Sequence, residues 1–223
     1  MKISVVSKIL EANDKLAAEN RRALDASGAF AMNLMSAPGA GKTTLLTRTI
    51  TALGSSLRVG VIEGDIQGTY DAELISALGV PVTQINTGGA CHLDASMIND
   101  AMLQMPLGEL DLLVIENVGN LVCPAEFNVG EHIKVMLLSL AEGHDKPLKY
   151  PLMFQESSAL VINKMDLAPY VDADPGRIRA DALSLNPGLK VFEVSCRTGQ
   201  GIDPWVAWLR EITRAHAGGQ KAG

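Results

Sequence analysis

Several function classes depend on residues that this sequence has in short supply. Aromatic side chains make up 4% of its 223 residues, which leaves few platforms on which unpaired bases could stack. Positive charge is not in excess: 19 Lys and Arg face 25 Asp and Glu, a formal net charge of -6. Binding to a nucleic-acid phosphate backbone needs clustered cations, so no nucleic-acid partner is expected. No apolar run reaches the roughly eighteen residues of a membrane span, and no membrane association is expected. The opening MKISVVSKILEANDKLAAENRRAL becomes charged too early for a secretory signal and lacks a small-residue cleavage site, which points to a cytoplasmic protein. Only three cysteines are present, Cys91, Cys123 and Cys196. They form no obvious disulfide framework, and in a reducing compartment such thiols bind metal, catalyse or are simply buried.

What is present is an ordinary globular composition, 47% hydrophobic and 20% charged, of a length that suits one core over 1–223. Residues 4–24 read as an amphipathic helix with Val5, Ile9, Ala12 and Leu16 at helical spacing, and Ser27 and Gly28 close an N-terminal helical segment, 1–28. Short apolar runs follow at 30–35, 57–62, 80–86, 110–116, 133–141, 158–163 and 190–195. Helical stretches near 42–53, 70–79, 93–105, 174–186 and 202–216 fall between most of them. This alternation predicts an α/β fold, a mostly parallel central sheet with helices on both faces. The stretch GHDKPLKYPLMFQE, 143–156, reads as an irregular surface excursion, and the tail 217–223 is expected to fray.

SAPGAGKTT, 36–44, follows the first strand and opens a helix, the setting a phosphate-binding loop requires. Gly39, Ala40, Gly41, Lys42, Thr43 and Thr44 are the candidate phosphate-binding residues, with Ser36 where the usual first glycine would stand. Lys42 would reach the terminal phosphates and Thr43 would offer its hydroxyl to Mg²⁺. NKMD, 163–166, ends a predicted strand. Asp166 there would accept two hydrogen bonds from guanine, a pattern adenine cannot supply. Asn163 and Lys164 would brace that loop, and SCRTGQG supplies Ser195, Cys196 and Arg197 as a further guanine-contacting loop. The bound nucleotide is therefore expected to be GTP or GDP. Asp65, in EGD, and Glu116, in ENVGN, are the candidate acids for Mg²⁺, with Asp65 preferred. Gly119 would donate its amide to the γ-phosphate and sense GTP against GDP.

Cys91 and His92 are expected at the start of a helix, and Cys123 lies in the ENVGNLVCPAEF loop that would sense the nucleotide. Thiolate and imidazole suit Ni²⁺ or Zn²⁺ better than hard cations. Three ligands do not close a tetrahedral site, so water or a second chain would complete it. From spacing alone an incidental His beside a buried cysteine is an equal reading. Cys196 reads as lining the base pocket, and His132, His144 and His216 as surface or capping residues.

The long motifs EGD, INTGGACHLDASMI, IENVGNLVCPAEFNVGE, DKPLKYPLMF and VINKMDL resemble the HypB family of GTPases, over about residues 4–216. The resemblance implies a P-loop G domain of the SIMIBI class and GTP hydrolysis that assists nickel insertion into [NiFe]-hydrogenase. It implies a GTP-dependent homodimer and a Ni²⁺ or Zn²⁺ site that falls on Cys91, His92 and Cys123. It further implies work with a HypA-like metallochaperone, sometimes a nickel-storing peptidyl-prolyl isomerase, and, indirectly, the hydrogenase large-subunit precursor. The cysteine-rich motif and histidine-rich stretch of some members are missing from this sequence, and Gly89 stands where many relatives have Lys. Two rivals are a urease-type nickel GTPase, whose signature would be Cys-Pro-His, and a non-catalytic metal-binding protein that holds a nucleotide. A chaperone of cobalamin-dependent mutases would need no thiolate pair.

Overall fold

The computed structural model describes residues 5–66 and 68–220. The expected first residue of the N-terminal helix and the last three residues of the tail lie outside them. Seven parallel strands form one sheet in the order β3-β2-β4-β1-β5-β6-β7. They are β1 (Phe30–Ser36), β2 (Val59–Asp65), β3 (Val82–Asn86), β4 (Leu112–Glu116), β5 (Ile133–Ser139), β6 (Ala159–Asn163) and β7 (Lys190–Glu193). β1 pairs with β4 on one side and β5 on the other, and all seven of its residues are buried. The chain leaves β1 toward one half of the sheet and later crosses to the other. Ligands bind beyond the carboxyl ends of the strands at such a crossover.

Nine helices are described: α1 (Val5–Ser27), α2 (Lys42–Leu53), α3 (Tyr70–Ser76), α4 (Ala95–Met102), α5 (Cys123–Glu126), α6 (Lys146–Lys149), α7 (Pro151–Gln155), α8 (Pro175–Leu185) and α9 (Ile202–Gln220). α2 and α9 cover one face, where Leu45, Leu46, Trp205 and Leu209 meet Met32, Leu34, Val61 and Val114. On the other face Leu24 and Ile98 meet Ala31, Leu113 and Ile115, and Phe154 and Ile178 meet Met136 and Ile162. Asp94 caps α4 by accepting from the Met97 amide, and Asp174 caps α8 by accepting from Gly176 and Arg177, with Pro175 next in line.

Four expectations change. The 143–156 stretch is not irregular: α6 and α7 lie within it, and Met153 and Phe154 are fully buried. Its prolines act as first-turn residues, where the missing N–H costs nothing, rather than as breakers. Residues 217–220 continue α9 instead of fraying. The inner face of α1 runs through Asn13, Leu16, Ala17, Asn20 and Leu24 while Ala12 is exposed, so the apolar stripe is rotated from the expected one. His132 and His216 are not scattered: their rings stand 4.3 Å apart, edge to face, beside Phe30.

Trp205 is the largest fully buried side chain, and its indole N–H donates to Thr49 Oγ1 at 2.9 Å. Trp205→Ala is expected to cost about 3–5 kcal/mol, because the cavity left behind adds to the lost burial. Urea unfolding of variant and parent checks this.

Candidate functional site

The phosphate loop begins where β1 ends. Gly39 and Gly41 hold positive φ angles of 74° and 102°, and Gly41 forms the N-cap of α2. A Cβ at Gly41 would meet Asn163 Nδ2 at 2.7 Å, so the loop and the NKMD segment fit only with glycine there. Lys42 Nζ donates to Ser36 Oγ at 3.2 Å, so the serine in place of the first glycine parks the lysine. Thr43 Oγ1 donates to Glu116 Oε1 at 3.2 Å.

Glu116 is buried, and so is Glu63, its register partner across β2 and β4. The second oxygen of each, Glu63 Oε2 and Glu116 Oε2, has no hydrogen-bond partner. Burial, and next the neighbouring Glu116, push Glu63 up to about 8. Burial also pushes Glu116 up to about 7, against the pull of Lys42. Two orphaned carboxyl oxygens beside a phosphate-loop hydroxyl form an all-oxygen donor set, which fits Mg²⁺. Asp65, the preferred acid from sequence, stands near enough for its charge to raise both glutamates, while its two oxygens accept from the Ile66 and Gly68 amides at 2.7 Å each and cap their own turn. Glu63 was missed. The signal for it was a repeated triplet, Val61-Ile62-Glu63 and Val114-Ile115-Glu116, ending two strands that pair in register.

At the base end, Asn163 Nδ2 donates to Ala40 O at 3.0 Å, and its Oδ1 accepts from the Lys164 and Cys196 amides at 2.7 and 3.1 Å. Lys164 holds a left-handed φ of 62° and donates from Nζ to Gly39 O at 2.7 Å. Asp166 Oδ1 accepts from Ser195 Oγ at 2.6 Å, a bond that holds its carboxyl below the usual range. Arg197 stands 3.7 Å from Asp166 Oδ2. A cavity of about 540 Å³ lies among Gly41, Thr44, Arg48, Asn163, Asp166 and Cys196. Arg48, which no motif singled out, donates from α2 to Cys196 O at 2.9 Å and fixes this second loop.

The cysteines meet on the neighbouring edge of the same end of the sheet. Cys91 Sγ and Cys123 Sγ are 3.4 Å apart, Cys91 Sγ is 3.7 Å from His92 Nδ1, and all three ligand atoms lie within 4.8 Å of one another. Cys91 and His92 sit in the turn ahead of α4 rather than at its start, because Asp94 takes the capping position. Cys123 is the first residue of α5, and burial, then Cys91, raise its thiol pKa. The His92 ring rests 4.0 Å from that of Phe127. Two sulfurs and an imidazole fit Ni²⁺ or Zn²⁺. Gly89 lies nearby with φ 107°, a left-handed conformation in which any side chain is strained.

The 117–123 loop ties the two donor sets together. Asn117 is buried; its Oδ1 accepts from the Val118 and Leu93 amides at 2.9 and 3.0 Å, and its Nδ2 donates to Asn33 Oδ1 at 3.2 Å. A Cβ at Gly119 would stand 2.9 Å from Pro38 Cα, so this loop and the glycine-rich loop after β1 are in contact. Asn120 donates from its amide to Ser36 O at 2.8 Å and from Nδ2 to Cys91 O at 3.1 Å.

Asp25, His132 and His216 also bring ligand-type atoms within 4.8 Å of one another. His132 Nδ1, however, accepts from the Ala31 amide at 2.8 Å, so its proton sits on Nε2, which donates to Asp25 Oδ1 at 2.9 Å. A metal-binding imidazole needs the opposite arrangement, with a donor N–H on its far side.

A family model described as CobW/HypB/UreG, nucleotide-binding domain, matches residues 30–193. The hydrogenase maturation factor HypB of Azotobacter chroococcum mcd 1 is 50% identical over 207 residues, 93% of this chain and 68% of that protein. The HypB crystal structure from Archaeoglobus fulgidus superposes with a TM-score of 0.86 at 42% identity, covering 92% of this chain and all of that one. HypB from Helicobacter pylori, solved in complex with nickel, gives a TM-score of 0.88 at 37% identity over 92% of this chain and 97% of its own.

The buried acids have a consequence for stability. Unfolded, a glutamate ionises near 4.5, whereas folded Glu63 does so at about 8. The unfolded state therefore loses its proton first, and the stability present below the lower value is lost as pH rises toward the upper one. Glu63→Gln is expected to flatten this decline in metal-free and nucleotide-free protein. Melting temperatures between about pH 5 and about pH 8 test it, and an equally steep fall in the variant would put the source elsewhere.

Proposed function

The chain belongs to the CobW/HypB/UreG family, and within it to the HypB hydrogenase maturation factors, and from that premise we propose that it is a GTP-hydrolysing metallochaperone that carries nickel as cargo toward [NiFe]-hydrogenase. The observation that carries this reading is Asn120. It donates to Ser36 O at the root of the phosphate loop and to the carbonyl of Cys91, and its Oδ1 accepts from the Val122 amide. The same short loop ends in Cys123. A change in phosphate occupancy that moves this loop must alter the distance between the two thiolates.

In this reading Lys42 leaves Ser36 for the terminal phosphates, and Thr43, Glu116 and Glu63 hold Mg²⁺. When bound, that ion neutralises charge between the β- and γ-phosphates. Asp166 selects guanine, and its place between Ser195 and Arg197 keeps it ionised to accept both guanine donors. Gly119, pressed against Pro38, is the amide nearest to hand for sensing the γ-phosphate. No side chain stands out as a general base, so hydrolysis is slow and works by positioning and charge stabilisation. Cys91, His92 and Cys123 hold nickel, with zinc as a second ion of suitable affinity. Cys91 is exposed, which leaves the site open for a fourth ligand from water or a second copy.

The whole chain then acts as one GTPase unit in the cytoplasm. It works as a GTP-dependent homodimer, loaded by a HypA-like metallochaperone and serving the hydrogenase large-subunit precursor indirectly. Among the described residues no helix is long and apolar enough to cross a membrane.

Lys42→Ala is expected to abolish phosphate release from GTP while leaving the fold intact by circular dichroism; an unchanged rate would sink the enzyme assignment. Reduced, metal-free protein titrated with Ni²⁺ should show a thiolate-to-nickel absorbance that Cys123→Ala removes. Its affinity or stoichiometry should differ between GDP and a non-hydrolysable GTP analogue. Identical titrations in both nucleotide states would mean that metal and nucleotide are uncoupled.

A further inference from the structure

The inner face of α1 carries two asparagines where an amphipathic helix would ordinarily bury apolar side chains. Asn20 is fully buried and Asn13 half-buried. A buried amide is costly unless every donor and acceptor is used, so the partners of these two matter. Asn13 Oδ1 accepts from the Ala95 amide at 2.9 Å, and its Nδ2 donates to Asn128 O at 2.7 Å. Asn20 Nδ2 donates to Ala95 O at 2.8 Å and to Val129 O at 3.0 Å, while its Oδ1 accepts from Asn99 Nδ2 at 2.9 Å. Each asparagine thus bridges the same two pieces of backbone. One is Ala95, the first residue of α4, just behind Cys91 and His92. The other is the 128–129 segment, just behind the helical turn that opens with Cys123 and the Phe127 ring that supports His92.

The fit around these bridges is close. A Cβ at Gly130 would stand 2.6 Å from Asn20 Cβ and 2.9 Å from Ala17 O, and Arg21 Nε donates to Gly130 O at 2.8 Å. One stiff helix, two turns of which carry the bridging amides, therefore spans both ligand-bearing loops. We propose that Asn13 and Asn20 are positioning residues of the metal site, setting the separation of the Cys91–His92 loop from the Cys123 turn and hence the affinity for a soft divalent cation. This rests on the reading of Cys91, His92 and Cys123 as that site. Neither asparagine bonds to the phosphate loop or lines the base cavity, so neither contributes a direct contact to bound GDP.

The test uses the full reduced chain with GDP bound, titrated with Ni²⁺ and read by thiolate-to-nickel absorbance. Asn13→Ala and Asn20→Ala are each expected to weaken Ni²⁺ about 10- to 100-fold, the usual loss when a ligand's supporting partner is removed. The absorption band should shift, because the sulfur positions change. GDP affinity should stay at the parent value, which mere unfolding would not allow. Asn13→Asp keeps the acceptor for the Ala95 amide and loses the donor to Asn128 O, so it should recover part of the affinity. Should Asn20→Ala fail to fold, the half-buried Asn13 decides. Parent-like Ni²⁺ affinity and an unshifted band in Asn13→Ala overturn the proposal while the metal site stands. A parent band that survives Cys123→Ala removes the metal site itself, and the clamp with it.

Discussion

The side chain of Asn117 is the joint on which the functional end of the molecule depends. Its backbone N–H extends the bonding of β1 by donating to Leu34 O at 3.0 Å, and its side-chain amide joins Leu93, Val118 and Asn33. Asn33 in turn donates to Glu131 Oε1 at 3.3 Å, and the other oxygen of Glu131 accepts from the Val129 amide at 2.8 Å. A buried polar network of this kind is stable only when each member is satisfied. The turn ahead of α4, the loop after β4 and the segment after α5 are therefore held as a set, and a displacement of one has to be accommodated by the others.

The two donor sets beside this joint are chemically segregated. Around Thr43 every donor atom is oxygen; around Cys91 they are two sulfurs and a ring nitrogen. Magnesium prefers the first kind, and nickel and zinc the second. On the proposed function, the segregation would let one loop reach both places while neither ion competes well for the other's position. It follows from topology: the acids end central strands and are buried, whereas the thiols lie on the loops beyond the strand ends and at least one is open to solvent.

Much of the fold was legible because its signals are local. Continuous apolar runs such as LLVIE mark strands covered on both faces, and a glycine-rich turn between a strand and a helix marks the phosphate loop. The placement of NKMD at a strand end was likewise readable, since β6 ends at Asn163. What stayed hidden depends on residues far apart in the chain. Glu63 meets Glu116 only through strand register, Arg48 meets a carbonyl on another loop, and Asn20 meets backbone atoms on two others. The cysteine and histidine pattern fell between these cases: spacing alone left a coincidence equally open, and the long family motifs tipped it. Prolines misled in 143–156, since a helix start and a helix break use the same residue.

The histidine pair at the opposite pole gains meaning beside a proposed nickel carrier. His132 lies just before β5 and Phe30 opens β1, so with Asp25 and His216 they form a cluster at the amino-terminal end of a parallel sheet. Cargo lodged there would be out of reach of every loop that responds to phosphate, and hydrolysis could not eject it. The Ala31 amide forecloses this by occupying the lone pair of Nδ1 and forcing the proton onto the nitrogen that faces Asp25. A single backbone N–H thereby keeps a second group of ligand-type side chains from presenting an open imidazole to a cation.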